Sequence, residues 1–355
     1  MDSQTLDVVV IGAGQSGLAA GQFLKEAGAD FSILDGAARV GDVWRNRWDS
    51  LRLFTPARYS SLPGLKFPAA GGSFPGKDGF ADYLEAYAAH FQLPVRTGIQ
   101  VRSVRPVDGG FELQASDGEL RARSVIAAPG ANSVPFVPRL APFLDASILQ
   151  LHSSEYRSPS GLPEGGVTVA GAGTSGMEIA LELAQHRPAG SVYLAGTPTR
   201  HIPDAVFRFT GPLYWRLVNS LLTLDTRPGR KVAAGFHQQG APLIRVSVKD
   251  VERAGVARLS RLQNVGDVPA DVRTIVWATG YRPDFGWIEG LPLDADGWPA
   301  TDRGIVPELP GLYFVGMPFQ YALTSGLVGG VGRDAKYVVE HLVAHQRALS
   351  WAQEQ

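Results

Sequence analysis

Two apolar patterns alternate along this chain, continuous β-branched runs and stripes at helical spacing, and the points where one becomes the other organise the rest. Val8, Val9, Val10 and Ile11 run without polar alternation, which marks a strand buried on both faces. The run stops at Gly12, Gly14 and Gly17, spaced Gly-x-Gly-x-x-Gly. Leu18, Ala20, Phe23, Leu24 and Ala27 then keep a helical period until Gly28 supplies a left-handed stop. Phe31 to Leu34 is a second apolar run, closed by Asp35. The pattern predicts strand, tight turn, helix and strand, the arrangement that holds a pyrophosphate. Glycines let the backbone approach the phosphates, and the amides and positive dipole end of the helix neutralise them. An acid at the next strand tip accepts hydrogen bonds from ribose hydroxyls.

The stretch from Gly41 to Pro56, carrying Trp44, Arg45, Arg47, Trp48, Leu53 and Phe54, has no clear period. One reading is a packed loop. The other lays it over a bound cofactor, because guanidinium forks suit phosphate and indole suits a flat apolar ring. Phe80, Tyr83, Leu84, Tyr87 and Phe91 predict a helix from Asp78 that Pro94 ends, its aromatics read as core. Val101 to Val107, Phe111 to Ala115 and Leu120 to Arg123 predict an antiparallel meander leading into a buried strand, Ser124 to Ala128, with Pro135 and Pro138 marking a linker out of the first domain.

At Val167 the opening pattern repeats. Gly171, Gly173 and Gly176 share the first loop's spacing, and a helix through Ile179, Leu183 and His186 follows. Two such loops in strand–helix context are far more specific than one. The next strand, Val192 to Ala195, ends in Gly196, Thr197, Thr199 and Arg200 with no acid. A missing carboxylate favours a ribose bearing a 2′-phosphate, with Arg200 and the threonines as partners, hence NADPH, with NADH left open. Between His201 and Leu243, residues Phe207, Leu213, Tyr214, Trp215, Leu217, Val218, Leu221 and Leu222 read as helix packing or a hydrophobic lid, which Arg216 and Asn219 keep from being a membrane span. Ser247 to Asp250 resembles a capping box, and Gly255 ends its helix. Val272 to Tyr281 and Gly311 to Gly316 are expected as strands re-entering the first domain. Gly326 to Gly332 then precedes a closing helix with Ala335, Val338, Val339 and Leu342 on one face, whose N-terminus suits an electron-rich part of a cofactor.

Composition narrows the partners. The 355 residues, 45% apolar and 19% charged, provide for two domains with cores, and a net charge of −1 with no long basic run speaks against nucleic acid. Small molecules are the expected partners. The chain has no cysteine, so the Cys-pair chemistry of disulfide and thioredoxin reductases is excluded, and a reducing compartment fits. Met1 to Leu6 is too short and polar for a signal peptide, no apolar run reaches the ~18 residues of a membrane helix, and Trp351 to Gln355 lacks a tail anchor. The expectation is a cytoplasmic protein. Neither a Ser/His/Asp set nor metal-spaced histidines stand out among the seven histidines.

The two glycine loops, the Ala278-Thr279-Gly280-Tyr281 turn and the Phe314-Val315-Gly316 strand end resemble the flavin-containing monooxygenase family, above all its short bacterial, class B-like members. Trp44 to Trp48, Ser50 to Leu53 and Thr55-Pro56 are also similar to the plant auxin-forming flavin monooxygenases. The likeness spans nearly the whole chain. It implies an α/β fold of two Rossmann-like dinucleotide-binding domains, as in the disulfide reductases: a discontinuous FAD domain (1–160 and 262–355) interrupted by an NAD(P)H domain (161–261). Cofactor contacts are then expected from Gly12, Gly14, Gln15, Ser16, Gly17, Asp35, Gly36, Trp44, Arg45, Leu53, Val101, Ala128, Gly130, Thr279, Gly280, Tyr281 and Gly316 on FAD, and from Gly171, Gly173, Thr174, Ser175, Gly176, Thr197 and Arg200 on the coenzyme. The family's identifying segment keeps His152 and Tyr156 but has Ala146 and Ile148 where Phe and Gly belong. Tyr156 followed by Arg157 points away from Baeyer-Villiger relatives, Asp42 stands at a position usually Gly, and Gly196 where an NADPH-selecting Arg is frequent.

The implied chemistry is hydride transfer from NAD(P)H to FAD, capture of dioxygen as a C4a-(hydro)peroxyflavin, and oxygenation of a nucleophilic sulfur or nitrogen of a small molecule. The cofactor holds that reactivity, and protein orients the reactants and excludes water. His152 is either a linker histidine bonded to backbone or a crevice residue contacting NAD(P). Phe54, Gln320, Tyr321 and Ser325, on loops beside the FAD segments, are candidates near the flavin ring, with plain packing as the other reading. The competing functions are a flavin reductase or oxidase without oxygenation, a Baeyer-Villiger enzyme, and a dinucleotide-binding sensor without turnover. A homodimer is common among such relatives.

Overall fold

The computed structural model describes residues 5–132, 134–202, 204–236 and 242–353. In chain order, β1 (Thr5–Ile11), α1 (Gln15–Glu26) and β2 (Phe31–Asp35) form the expected opening unit. A single turn, α2 (Asp42–Arg45), precedes α3 (Lys77–His90) and β3 (Val95–Thr97), and the meander is β4 (Val101–Val107), β5 (Gly110–Ala115) and β6 (Gly118–Ala127). Next come β7 (Val134–Pro135), β8 (Leu149–His152), β9 (Gly166–Ala170), α4 (Thr174–His186) and β10 (Val192–Ala195). The helices α5 (Asp204–Leu221), α6 (Arg227–Phe236) and α7 (Val248–Arg253) lead to β11 (Ala257–Leu259), β12 (Val272–Trp277), β13 (Tyr281–Arg282), β14 (Leu312–Phe314) and α8 (Val328–Gln353).

The first sheet runs β3-β2-β1-β6-β5-β4, with β14 also against β6. Its central pairs β1–β2, β1–β6 and β6–β14 are parallel, and the β4–β5–β6 meander is antiparallel. Val8 and Val10 face α1, α3 and α8, while Val9 and Ile11 pack on Phe285, Ile288 and Phe314, so both faces of β1 are covered and the run needs no polar alternation. The aromatics of α3 are core, as expected: Phe80, Tyr83 and Tyr87 are buried, and the Tyr83 hydroxyl donates to Leu65 O at 2.7 Å.

The second sheet is all parallel, in the order β11-β10-β9-β12-β8. Here one expectation is corrected. Val272–Trp277 does not re-enter the first domain but lies between β9 and β8, with Val276 opposite both Val169 and Leu151. The inserted unit therefore takes in strands on both sides of residues 161–261. A β9-β10-β11 half alone would leave the buried edge of β9 unpaired, and β12 and β8 cover it. The two chain crossings between the units lie side by side as the antiparallel pair β7–β13, with Pro135 opposite Tyr281. The Ser247 capping box forms, its Oγ accepting from Asp250 N (3.3 Å) and Asp250 Oδ2 from Ser247 N (2.8 Å). On α5, Leu213, Leu217 and Leu221 are exposed and Val218 is buried; the side chains of Phe207 and Arg216 fall outside the described parts. Among the described residues no helix is long and apolar enough to cross a membrane.

Candidate active site

Both glycine loops fold alike, for the same steric reasons. Gly12 and Gly171 have φ of +102° and +117°, and a Cβ on either would overlap a carbonyl oxygen, that of Ala128 or of Ala278. A Cβ on Gly17 would overlap Gly12 O, and one on Gly176 would overlap Gly171 O, so only glycine allows helix and strand to meet this closely. The middle glycines differ: nothing lies within 4 Å of a Cβ built on Gly14 or Gly173. These are the N-caps of α1 and α4, and no side chain caps either helix. The helical bonding begins at Leu18 N on Gly14 O (3.0 Å) and Met177 N on Gly173 O (2.9 Å). The amides of Gln15, Ser16 and Gly17, and of Thr174, Ser175 and Gly176, thus precede the first intrahelical bond, beside a middle glycine whose Cβ position is open. That is a fit for the pyrophosphate of a dinucleotide in each unit.

Around the first cradle, Asp35 Oδ2 accepts from Ala13 N (2.6 Å) and Oδ1 from Ala37 N (2.7 Å), which fixes the carboxylate and leaves lone pairs for ribose hydroxyls. Gly316 approaches the N-terminus of α1 so closely that a Cβ there would overlap Ser16 Oγ. Ala128 N bonds Ile11 O (2.8 Å), Gly130 turns left-handed beyond it, Leu53 is buried in the same core as Ala13, and Val101 opens β4 half-buried. A Cβ built on Gly36 would lie 3.7 Å from Gln100 Cβ. In the second unit, Thr197 and Arg200 are exposed beyond the tip of β10.

The aromatic and Arg-rich loop is a seam between the units. Trp48 and Leu51 are buried in the core of the second unit, Arg47 Nη1 donates to the Tyr281 hydroxyl (2.6 Å), and Asp49 N bonds Arg157 O (2.8 Å). Trp44 meets Phe80 edge-on at 4.9 Å. Arg45 is anchored from the facing helix: its guanidinium reaches Val40 O (2.6 Å), Asp82 (2.8 Å) and Glu85 (3.1 Å), so acids on α3 hold it and it clamps the loop.

Four of the residues singled out from the sequence bond to the backbone or lie in the core. Tyr156 is fully buried in the second unit, its hydroxyl donating to Glu182 (2.8 Å); burial, with the carboxylate beside it, pushes its pKa up and keeps it neutral. Gln320 Nε2 donates to Phe314 O (2.9 Å) and Arg303 O (3.1 Å), and its Oε1 accepts from Met317 N (3.3 Å), so both amide hydrogens are committed to backbone carbonyls. Ser325 is buried, its Oγ accepting from Tyr321 N (3.0 Å) and Ala322 N (2.9 Å) to close a turn. His152 takes the backbone role. Its Nε2 donates to Gly280 O (3.0 Å), Nδ1 accepts from Ser154 N (3.2 Å), and burial lowers its pKa below that of free imidazole. Gly280 O also accepts from Phe136 N (2.9 Å), and Thr279 Oγ1 bonds Phe136 O. His152 therefore pins the corner where β7 and β13 cross between units. Phe54 is half-buried, and the Tyr321 hydroxyl donates to Asp225 (2.7 Å) with Arg303 3.9 Å above its ring.

Two features went unread in the sequence. Arg245 Nη1 bridges the units, donating to Glu178 Oε1 (3.1 Å) on α4 and to Arg52 O (3.2 Å); burial pushes the Glu178 carboxyl up to about 7 against the opposing pull of Arg245. A cavity of about 150 Å³ lies between the 58–61 loop, α5 and the start of α8, lined by Tyr59, Trp215, Asn219, Thr324 and Leu327. The Tyr59 and Trp215 rings stand 5.2 Å apart, and Thr324 Oγ1 donates to Asn219 Oδ1 (2.6 Å). Neither signal is local: the partners lie far apart in sequence. Among the described residues no cluster of His, Asp or Glu is arranged to hold a metal.

Residues 9–316 match the pyridine nucleotide-disulphide oxidoreductase family. A CzcO-like oxidoreductase of Geobacillus kaustophilus is 37% identical over 96% of this chain and 99% of its own. The probable indole-3-pyruvate monooxygenase YUCCA7 of Arabidopsis thaliana is 34% identical over 98% and 88%. The solved flavin-containing monooxygenase from Stenotrophomonas maltophilia superposes with a TM-score of 0.76 at 29% identity, covering 96% of this chain and 99% of that one. With likeness running through both cradles, the chain belongs to the pyridine nucleotide-disulphide oxidoreductase family, on its flavin monooxygenase side.

Proposed function

We propose that this chain binds FAD in the first cradle and NADPH in the second, and uses dioxygen to oxygenate the sulfur or nitrogen of a small molecule. The observation that carries the reading is the duplicated cradle, two uncapped helix N-termini each facing an open middle glycine, in a chain without cysteine. Bound FAD, once reduced by NADPH, supplies the activation of dioxygen.

The chain's own residues hold and shield. The amides that open α1 and α4 neutralise the pyrophosphates, and Asp35 takes ribose hydroxyls. Trp48, Leu51 and the Arg47–Tyr281 bond close the seam and keep water out. Neutral His152 holds the crossing rigid. The cavity beside Tyr59 and Trp215 is the candidate substrate site, of a size that suits a guest of about one benzene ring.

The test is product analysis with FAD-loaded protein, NADPH, oxygen and methyl phenyl sulfide. Sulfoxide formed in step with NADPH consumption is the expected result, and hydrogen peroxide without sulfoxide overturns the oxygenation. The substitutions Ala146 and Ile148 in the identifying segment favour that second reading, an oxidase that hands electrons to oxygen alone. A cyclic ketone in the same assay reads out Baeyer-Villiger chemistry as lactone.

A further inference from the structure

Because the chain builds the same cradle twice, residues at matched register can be compared within one molecule. Gly12 matches Gly171, so Ile11 matches Ala170. Ile11 pairs with Leu34 and Ala170 with Ala195, so Asp35 and Gly196 stand at the same step beyond the second strand. One strand further out, Leu34 pairs with Arg96 and Ala195 with Leu259, which places Val95 and Arg258 at equivalent positions. The first cradle thus has an acid at the strand tip and an apolar residue on the outer strand. Its counterpart has a glycine at the tip and a cation on the outer strand.

Arg258 is aimed at that tip. Its Nη2 donates to Gly196 O at 2.9 Å, and its Nε is buried with no hydrogen-bond partner among the described residues. Gly196 in turn lies against the phosphate loop, since a Cβ built there sits 3.5 Å from Ala172 N and 3.7 Å from Gly171 Cα. No carboxylate pairs with Arg258 among the described residues. Asp35 places the ribose hydroxyls in the first unit, where a carboxylate would repel a phosphate. At Gly196 that repulsion is gone, a guanidinium is in its place, and Thr197 brings a hydroxyl where the first unit has Gly36.

We propose that Arg258 is the cation that reads the adenosine 2′-phosphate and makes the second cradle selective for NADPH, supplying from the neighbouring strand the charge that Gly196 lacks. The proposal rests on the second cradle being a nicotinamide-coenzyme site. Arg200, exposed at the same edge, is an auxiliary contact.

Isothermal titration of the full-length, FAD-loaded protein with 2′-phospho-ADP-ribose and with ADP-ribose separates the two claims. Wild type should bind the phosphorylated fragment at least about tenfold more tightly at low salt, as a charge-assisted contact gives. Arg258→Gln should bring the two within about twofold while leaving ADP-ribose affinity unchanged, and R258K should recover part of the difference. Retained discrimination in R258Q, or equal weakening of both fragments, overturns the assignment and leaves Arg258 a support for the Gly196 turn. If wild type binds ADP-ribose as tightly as its phosphorylated form, the Arg258 proposal fails alone. If neither fragment binds, the coenzyme site fails and the proposal with it.

Discussion

Replacing Gly173 by valine separates binding from folding in the second cradle. Gly173 is the N-cap of α4 with φ −80° and ψ −173°, extended backbone that any residue adopts, and nothing lies within 4 Å of its Cβ position. The folded chain therefore accommodates the side chain. Exchanging an N-cap glycine for an aliphatic residue costs about 0.5–1 kcal/mol, or a few degrees of apparent melting temperature. The same side chain occupies the space a pyrophosphate needs. Two amide bonds to a charged phosphate at roughly 1.5–3 kcal/mol each amount to about 3–6 kcal/mol, a loss of more than about a hundredfold in coenzyme affinity. Anaerobic rapid mixing with NADPH, followed at the visible flavin band, reads this as a rise in half-saturation with FAD still bound. Gly176→Ala is the contrasting control: its Cβ overlaps Gly171 O and comes within 2.9 Å of Gly171 C, so thermal stability should fall sharply. A Gly173→Val protein reduced by NADPH with half-saturation within about twofold of wild type would refute the cradle.

Tyr156→Phe removes the bond to Glu182 inside the second core, so it should lower stability by about 1–2 kcal/mol in denaturant titration and leave turnover within about twofold. A tenfold loss of turnover at unchanged stability would place Tyr156 in the chemistry instead. Glu178 makes the fold pH-dependent. Its carboxyl ordinarily titrates at 4.5 and burial raises it to about 7, so the folded state binds a proton that the unfolded state has lost. This contribution is fully present below about pH 4.5 and is lost as pH rises through 7, a change of about 3 kcal/mol. Glu178→Gln should flatten the melting profile across that window relative to wild type, and an unchanged slope would place the titrating group elsewhere.

The glycine spacing was legible in part because one of its causes is local: a Cβ on Gly17 or Gly176 meets Gly12 O or Gly171 O in the same turn, whereas Gly12 and Gly171 are constrained by Ala128 O and Ala278 O, far along the chain. Asp35 was legible for a related reason, since strand length alone puts it at the tip. The anchoring of Arg45 was not legible, because its partners, Asp82 and Glu85, are brought to it only by the packing of α2 on α3. Gln320 and Ser325 show another limit: polar side chains on a loop beside the cofactor segments read equally as site or packing, and here both satisfy backbone groups that the tight turn leaves unpaired. Val272–Trp277 was legible as a strand but was placed in the wrong sheet, because an apolar run carries no record of its neighbours. Arg258 gained meaning only once β10 and β11 were in register.

The proposed chemistry needs one polypeptide carrying a resident flavin and a separate place for its reductant. Anaerobic titration of the purified chain with NADPH tests this most directly. The expected result is a yellow protein with one FAD per chain, bleached completely by about one equivalent of NADPH, since both are two-electron carriers. A colourless protein that takes up no added FAD, or a yellow one whose visible band NADPH leaves unchanged, would contradict it.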